Sequence, residues 1–222
     1  VTTGRPASII TTALLIAALG GVYLCFAAYE QVGNIFLVWA RNHVDLDVHG
    51  WRMPVAWFLS LDGLATLTLI AAWQAVLRMF DRRGVTVEPL VQIIIGAVLC
   101  AAGYLVLTIA SAQVGAAHIG WALAYLLLVD AAIVLVWPSG LSLIAGVAPR
   151  RLVGFWTGLF YLHGFFGNLW VGMIGVYYDR IPTSGFWLLH VAVACLAGVL
   201  AFVAGALLRP TLRSRQATTT SA

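Results

Sequence analysis

Trp137–Asn168 reads WPSGLSLIAGVAPRRLVGFWTGLFYLHGFFGN. Two apolar segments meet here at a short turn whose only charges are Arg150 and Arg151. Pro138 lies inside the first segment and predicts a kink or a broken helix there, because proline removes one ladder hydrogen bond and crowds the preceding turn. After the turn come Gly154, Gly158, Gly164, Gly167, Gly172 and Gly175. Small residues at this spacing let helices approach backbone to backbone, the usual means of association where lipid removes the hydrophobic drive. The stretch predicts a tight hairpin of two membrane-crossing helices with a cytoplasmic turn, and the rest of the chain can be oriented from it.

Composition agrees with that reading. Of 222 residues, 62% are apolar and only 9% charged, whereas soluble domains run near ~45–50% apolar and ~25% charged. The formal charge of +4 comes from twelve arginines and no lysine. Most arginines stand between apolar runs, so the positive balance reads as a topology signal and not as a nucleic-acid surface. Cys25, Cys100 and Cys195 each lie inside an apolar run with no metal-like spacing and read as buried small hydrophobes. His43 and His49 fall in a mixed-charge loop and fit no metal site. No cofactor is expected.

Six apolar runs are long enough for the ~20 residues that a bilayer crossing needs. They cover approximately residues 8–39, 54–79, 91–111, 118–143, 153–177 and 186–208. All should be helices, because lipid cannot satisfy open backbone groups. Residues 1–7 form a cytoplasmic lead-in, 8–208 a transmembrane bundle, and 209–222 a polar tail expected to be disordered. The first run is too long for a signal peptide and lacks a small-residue cleavage motif. Arg5, Arg78, Arg82, Arg83, Arg150, Arg151, Arg209, Arg213 and Arg215 fall on one side of the membrane, and Arg41, Arg52 and Arg180 on the other. That asymmetry predicts a multi-pass inner-membrane protein with both termini in the cytoplasm.

Glu30, Asp62 and Asp130 lie inside the spans with no lysine or arginine to match them. A carboxylate in hydrocarbon is costly enough to need a reason. A desolvated carboxylate can load and release a proton near neutrality, so all three are candidates for proton coupling. Gly33 and Asn34 weaken the first helix just after Glu30, and Asn34 joins the candidate substrate contacts. His163, mid-helix among aromatics, is a further candidate, and His190 a weaker one. Trp121 and Tyr125 suit an interfacial aromatic belt. There is no His-Glu-x-x-His, no Gly-x-Ser-x-Gly and no acid–base pair at helical spacing, so an intramembrane enzyme is not indicated.

Several motifs stand in a fixed order. Tyr29-Glu30-Gln31-x-Gly33 is followed by Arg41-Asn42 and Asp45; Pro54-x-x-Trp57-Phe58-x-Ser60-Leu61 opens the next span. Pro138-x-Gly140-Leu141-Ser142, then Ala148-Pro149-Arg150, Val153-Gly154 and Gly167-Asn168 complete the series. In this order and spacing the chain resembles the C-terminal half of the proton-dependent oligopeptide transporters, a family within the major facilitator superfamily. Asp81-Arg82-Arg83-Gly84 is also similar to a loop element of that superfamily.

The resemblance implies an all-α bundle of six helices forming one wall of a central cavity. It also implies proton-driven uptake of di- and tripeptides or related small solutes. Substrate would bind at the interface of two six-helix halves, so the partners implied are a small solute, protons, the bilayer and an N-terminal half. The chain is then either a fragment of a longer transporter or one half of a split one. Three positions depart from the family. Ile133 stands where a glutamate meets the peptide amine, Asp62 where an asparagine contacts the peptide, and Phe160 where a tryptophan is usual. Asp62 and Phe160 are the cavity contacts that the resemblance implies, beside the candidates His163 and Asn34, with Asp62 or Asp130 replacing the lost glutamate. A non-transporting or partner-requiring membrane module and a carrier of a non-peptide solute are the alternatives.

Overall fold

A chain this apolar must satisfy its backbone internally. The computed structural model describes residues 9–220, with side chains for 12–207, and does so almost entirely with helices. The expected lead-in at 1–7 and the last two residues of the tail lie outside the described residues. In order, α1 spans Ile9–Tyr29, α2 Ile35–His43, α3 Trp57–Arg82, α4 Pro89–Ser111 and α5 Ile119–Val147. A 3-10 turn, Arg150–Leu152, leads to α6, Val153–Tyr161, then α7, His163–Gly175, and α8, Thr183–Thr220. Helical backbone therefore continues through 209–220, where an irregular tail was expected.

Among the described residues, five helices are each long and apolar enough to cross a membrane. The sixth crossing is divided. α6 has nine residues and α7 thirteen, and at ~1.5 Å per residue only the two together reach across. Leu162 is the joint, with its N–H bonded to the Leu159 carbonyl at 3.1 Å. α5, by contrast, runs unbroken through Pro138. Pro54 precedes α3 instead of opening it, starting a turn in which Trp57 N bonds Pro54 O at 3.0 Å.

The first span also divides, between α1 and α2. There the hydrogen bonds tighten to three-residue spacing, Gln31 N to Ala28 O at 3.1 Å and Val32 N to Tyr29 O at 2.9 Å. The Asn34 side-chain amide donates to the Glu30 carbonyl at 2.8 Å, serving an acceptor that the break leaves open.

α1, α4, α5 and α8 pack on one another, with α3 and α6 against α5 and α7 against α1. Loop pairings show how the crossings alternate. β1, Val44–Asp45, pairs in parallel with β4, Ala117–His118, so the α2–α3 and α4–α5 connections share one end. At the other end Trp73 Nε1 donates to Gln92 Oε1 at 3.1 Å, and Gln92 Nε2 to Val87 O at 3.2 Å, tying α3 to the start of α4. In the α2–α3 connection β2, Asp47–Val48, and β3, Trp51–Arg52, form a hairpin whose turn uses His49 and Gly50 at φ 55° and 81°. A glycine suits the second of these left-handed positions.

The tightest helix crossings are not where the glycine run placed them. A Cβ on Gly154, Gly158, Gly164 or Gly172 would meet nothing within 4 Å. Gly96 instead lies under α5, where a Cβ would be 2.5 Å from Val136 Cγ2 and 2.9 Å from Ala132 O, and Gly21 meets α8 at Ala197 O, 2.8 Å away. The hairpin of α5 and α6 closes through Gly140, where a Cβ would lie 2.5 Å from the Phe160 ring. Tyr125 is also not in an interfacial belt. It is fully buried against Phe36, centroids 4.8 Å apart, and Tyr104, 5.3 Å. Cys25 and Cys100 are buried as expected, but Cys195 is exposed.

Candidate functional site: an acid pair beside the α3–α5 cleft

Helical periodicity assembles the site. On α3, Asp62, Thr66, Ile70 and Trp73 follow one another at three- and four-residue steps and so share a face. On α5, Asp130, Ile133 and Trp137 do the same. α3 packs on α5 and brings the two stripes together. A cleft of about 380 Å³ opens between them, lined by Thr66, Ile70, Trp73 and Gln74 of α3 and by Ile133 and Trp137 of α5, among others.

The acid pair adjoins this cleft through Thr66. Asp130 is fully buried, and neither of its carboxylate oxygens has a hydrogen-bond partner among the described residues. Asp62 is half-buried and near enough to Asp130 for its charge to act on that carboxylate. Tyr29, the last residue of α1, completes the cluster, its hydroxyl donating to Asp62 Oδ1 at 3.4 Å. The Thr66 hydroxyl is buried in the same place, also without a partner among the described residues. Two like charges in apolar surroundings oppose each other strongly. The arrangement therefore suits one negative charge with one shared proton, or a bound cation.

Glu30 stands apart from this pair. It is half-buried at the α1–α2 break and rests on α7, where a Cβ on Gly167 would lie 2.8 Å from Glu30 Cγ. Asn168, the next residue, neighbours its carboxylate, and the Asn168 side-chain amide donates to the Gly164 carbonyl at 2.9 Å. His163 lies one turn earlier on α7. It is 5% exposed, stacked near Phe26 at 3.7 Å between centroids, and its Nδ1 is 2.7 Å from the Phe160 carbonyl oxygen. A carbonyl only accepts, so Nδ1 carries the hydrogen. Phe160 is fully buried beneath Gly140 and opens no face to the cleft. Asn34 is exposed, with its amide committed to the backbone.

The structure thus joins Asp62 and Asp130 and keeps Glu30, His163, Phe160 and Asn34 in other settings. It adds Tyr29 and Thr66, neither of which sequence reasoning placed in the site. Thr66 carried a usable signal, one turn beyond Asp62 on the same face. Tyr29 carried none beyond its place in the Tyr-Glu-Gln motif.

Residues 8–188 match the POT family (PTR2). Among curated proteins the chain is similar to the peptide transporter YePEPT of Yersinia enterocolitica subsp. palearctica serotype O:3 (strain YE-P4), with 27% identity over 185 residues, covering 79% of this chain and 36% of that transporter. It thus spans about a third of the relative's length. Among solved structures it resembles a peptide transporter POT in complex with sulfate, at TM-score 0.78 and 19% identity, covering 94% of this chain and 42% of the other. It also resembles a POT family transporter in complex with a thioalcohol-conjugated peptide, at TM-score 0.79 and 15% identity, covering 91% and 42%. A third, in complex with 5-aminolevulinic acid, matches at TM-score 0.79 and 14% identity over 91% and 42%. At these identities the likeness is one of fold.

Proposed function

As this chain belongs to the POT family, whose members are transporters and not enzymes, we propose that it forms one half of a proton-coupled carrier of di- and tripeptides or related small solutes. The chain is a multi-pass membrane protein. The observation that carries the proposal is the Asp62–Asp130 pair beside the α3–α5 cleft, with a fully buried, unpartnered carboxylate on α5. A site that holds one exchangeable proton next to a solute-sized cleft is what coupling requires. The solute's amine would meet Asp62 and Asp130 in place of the glutamate absent at Ile133, and its apolar part would lie against Ile133 and Trp137. Because that anchor has moved by about a helical turn, non-peptide amines belong to the same proposal. Glu30 serves as a second proton site on the α1–α7 seam.

Both termini face the cytoplasm of an inner membrane in this reading, as the arginine asymmetry favours. The second half of the cavity comes from an N-terminal six-helix unit. Its contact surface would include the outer face of α3, none of whose apolar window is buried by the described bundle, and the open glycine faces of α6 and α7.

The test is uptake of a labelled dipeptide into proteoliposomes holding the polypeptide as its source encodes it. An inward proton gradient should drive accumulation, and a protonophore should abolish it. Asp130→Asn should lose gradient-driven accumulation at least ~10-fold, while exchange of dipeptide across the membrane persists at reduced affinity through the remaining Asp62 anchor. Accumulation that ignores the gradient, or full dipeptide affinity in Asp62→Asn, would overturn the proposal.

A further inference from the structure

Glu30 and Gln31 are consecutive, yet their side chains leave the α1–α2 break in different directions. Glu30 lies against Gly167 and Asn168 of α7. Gln31 is fully buried and reaches α8, where its Nε2 is 2.9 Å from His190 Nε2. His190 is fully buried as well. Its Nδ1 is 3.0 Å from the Phe186 carbonyl oxygen, so that nitrogen carries the hydrogen and a neutral ring presents a bare Nε2. Gln31 must then donate its amide N–H to the ring. That orientation leaves Gln31 Oε1 buried without a partner among the described residues. An unpaired buried amide oxygen is destabilising, and leucine would avoid it, so packing alone does not account for glutamine here.

The same ring is held from its other side. Tyr104 of α4 stacks on His190 with centroids 5.0 Å apart and 25° between planes. Its hydroxyl donates to the Ala28 carbonyl and accepts from Tyr125 Oη at 3.0 Å. The chain is therefore gripped on both sides of Glu30: at Ala28 through its backbone and at Gln31 through its side chain. The two residues that grip it touch each other. With both points fixed, the turn between them has little freedom to rotate, and that rotation sets where the Glu30 carboxylate points.

We infer that Gln31 and His190 are positioning residues for Glu30, holding its carboxylate on the α7 seam from the opposite side of α1. This rests on the reading of Glu30 as a proton-coupling group. Among the described residues, the titratable side chain in contact with the pair is Tyr104 on α4, which in turn meets Tyr125 on α5 and Cys100 on α4. On the α1–α7 seam they are His163, one turn before Gly167, and Tyr23 of α1, whose ring lies 5.7 Å from that of Phe166.

The experiment uses the polypeptide as its source encodes it, with two readouts. One is the pH midpoint of gradient-driven dipeptide uptake; the other is the infrared carboxyl band of Glu30, identified as the band lost in Glu30→Gln. Gln31→Leu and His190→Leu should each shift the uptake midpoint, and the pH at which the Glu30 band is half lost, by about half a pH unit or more. The double variant should shift them no further, since the residues act as one unit. His190→Gln, which returns an acceptor to the Nε2 position, should restore the parent values. Gln31→Leu and His190→Gln keep the comparison open if His190→Leu fails to fold. Unchanged midpoint and band in folded leucine variants, with Glu30→Gln inactive in gradient-driven uptake, overturns the positioning role and leaves the reading of Glu30 intact. If Glu30→Gln instead keeps the parent pH profile, the reading of Glu30 falls. The infrared band then decides positioning by itself.

Discussion

Gly167→Ala should change function while sparing the fold, and the geometry says why. The added Cβ would lie 2.8 Å from Glu30 Cγ, but 3.5 Å from Phe26 O and 3.7 Å from Ala27 Cα, which are ordinary contacts. Only the Glu30 side chain has to move, by several tenths of an ångström. Shifting one partly exposed side chain off its preferred rotamer costs about 0.5–1.5 kcal/mol. Gly96→Ala is the control. Its Cβ would press on Val136 Cγ2 at 2.5 Å and on the Ala132 carbonyl at 2.9 Å. Backbone cannot swing aside, so α4 and α5 must separate, at a cost of about 1–3 kcal/mol. Thermal unfolding in detergent, followed by tryptophan fluorescence, should therefore rank Gly96→Ala clearly below Gly167→Ala. Proton-driven uptake should rank them the other way, with Gly167→Ala altering the pH profile and Gly96→Ala keeping the parent's profile at reduced protein yield. The reasoning fails if Gly167→Ala melts as low as Gly96→Ala, or if its pH profile matches the parent's.

Other substitutions probe the buried polar bonds. Tyr104→Phe strips the hydroxyl that joins the Ala28 carbonyl to Tyr125, leaving the Tyr125 hydroxyl without its acceptor in the core and the Ala28 carbonyl with Gln31 N–H alone. It should lose about 1–3 kcal/mol, read as a lower melting temperature. Ser111→Ala removes the acceptor, 2.8 Å from Trp39 Nε1, that ties α2 to the end of α4. It should cost a similar ~1–3 kcal/mol because the fully buried indole N–H is left without a partner. Gly154→Ala, with open space around its Cβ, should leave the melting temperature of the isolated chain unchanged or slightly raised, since alanine is the better helix former by ~1 kcal/mol.

Much of the fold is legible because it depends on local composition. Runs of twenty apolar residues can only be helices in lipid, and Gly33-Asn34 marks the α1–α2 break through two residues that disfavour a continued helix. The break at Leu162 has no comparable mark, since Leu-Phe-Tyr-Leu-His is locally helix-compatible. The glycines mislead for a related reason: their sequence shows which surfaces are small but not which way each helix is turned, and four of the six expected at crossings face open space. Asp62 and Asp130 were each conspicuous as charges in apolar runs. Their pairing was not, because α4 intervenes between α3 and α5 in the chain. Gln31 and His190, 159 residues apart, are harder still. Either residue alone reads as a buried polar side chain, and only the turn of two helices gives them a shared bond.

Charge balance within the spans points beyond the described helices. Glu30, Asp62 and Asp130 face no lysine or arginine along these segments. Of the intramembrane histidines, His190 does not supply the missing cation. His163 and His190 each give Nδ1–H to a carbonyl three or four residues earlier in the chain, and His190 Nε2 is already occupied by Gln31. A buried carboxylate without a counter-charge is tolerated if it holds a proton or if a cation is brought to it. Asp62 and Asp130 can share one proton between them, so they can be neutralised in part within this chain. Glu30 has the neutral Asn168 beside it, a polar neighbour that cannot cancel a carboxylate's charge. The two acidic sites should therefore respond differently to a second half-bundle. Adding it should change the titration of Glu30 far more than that of the Asp62–Asp130 pair, and a co-reconstitution in which both shift equally would contradict this division of roles.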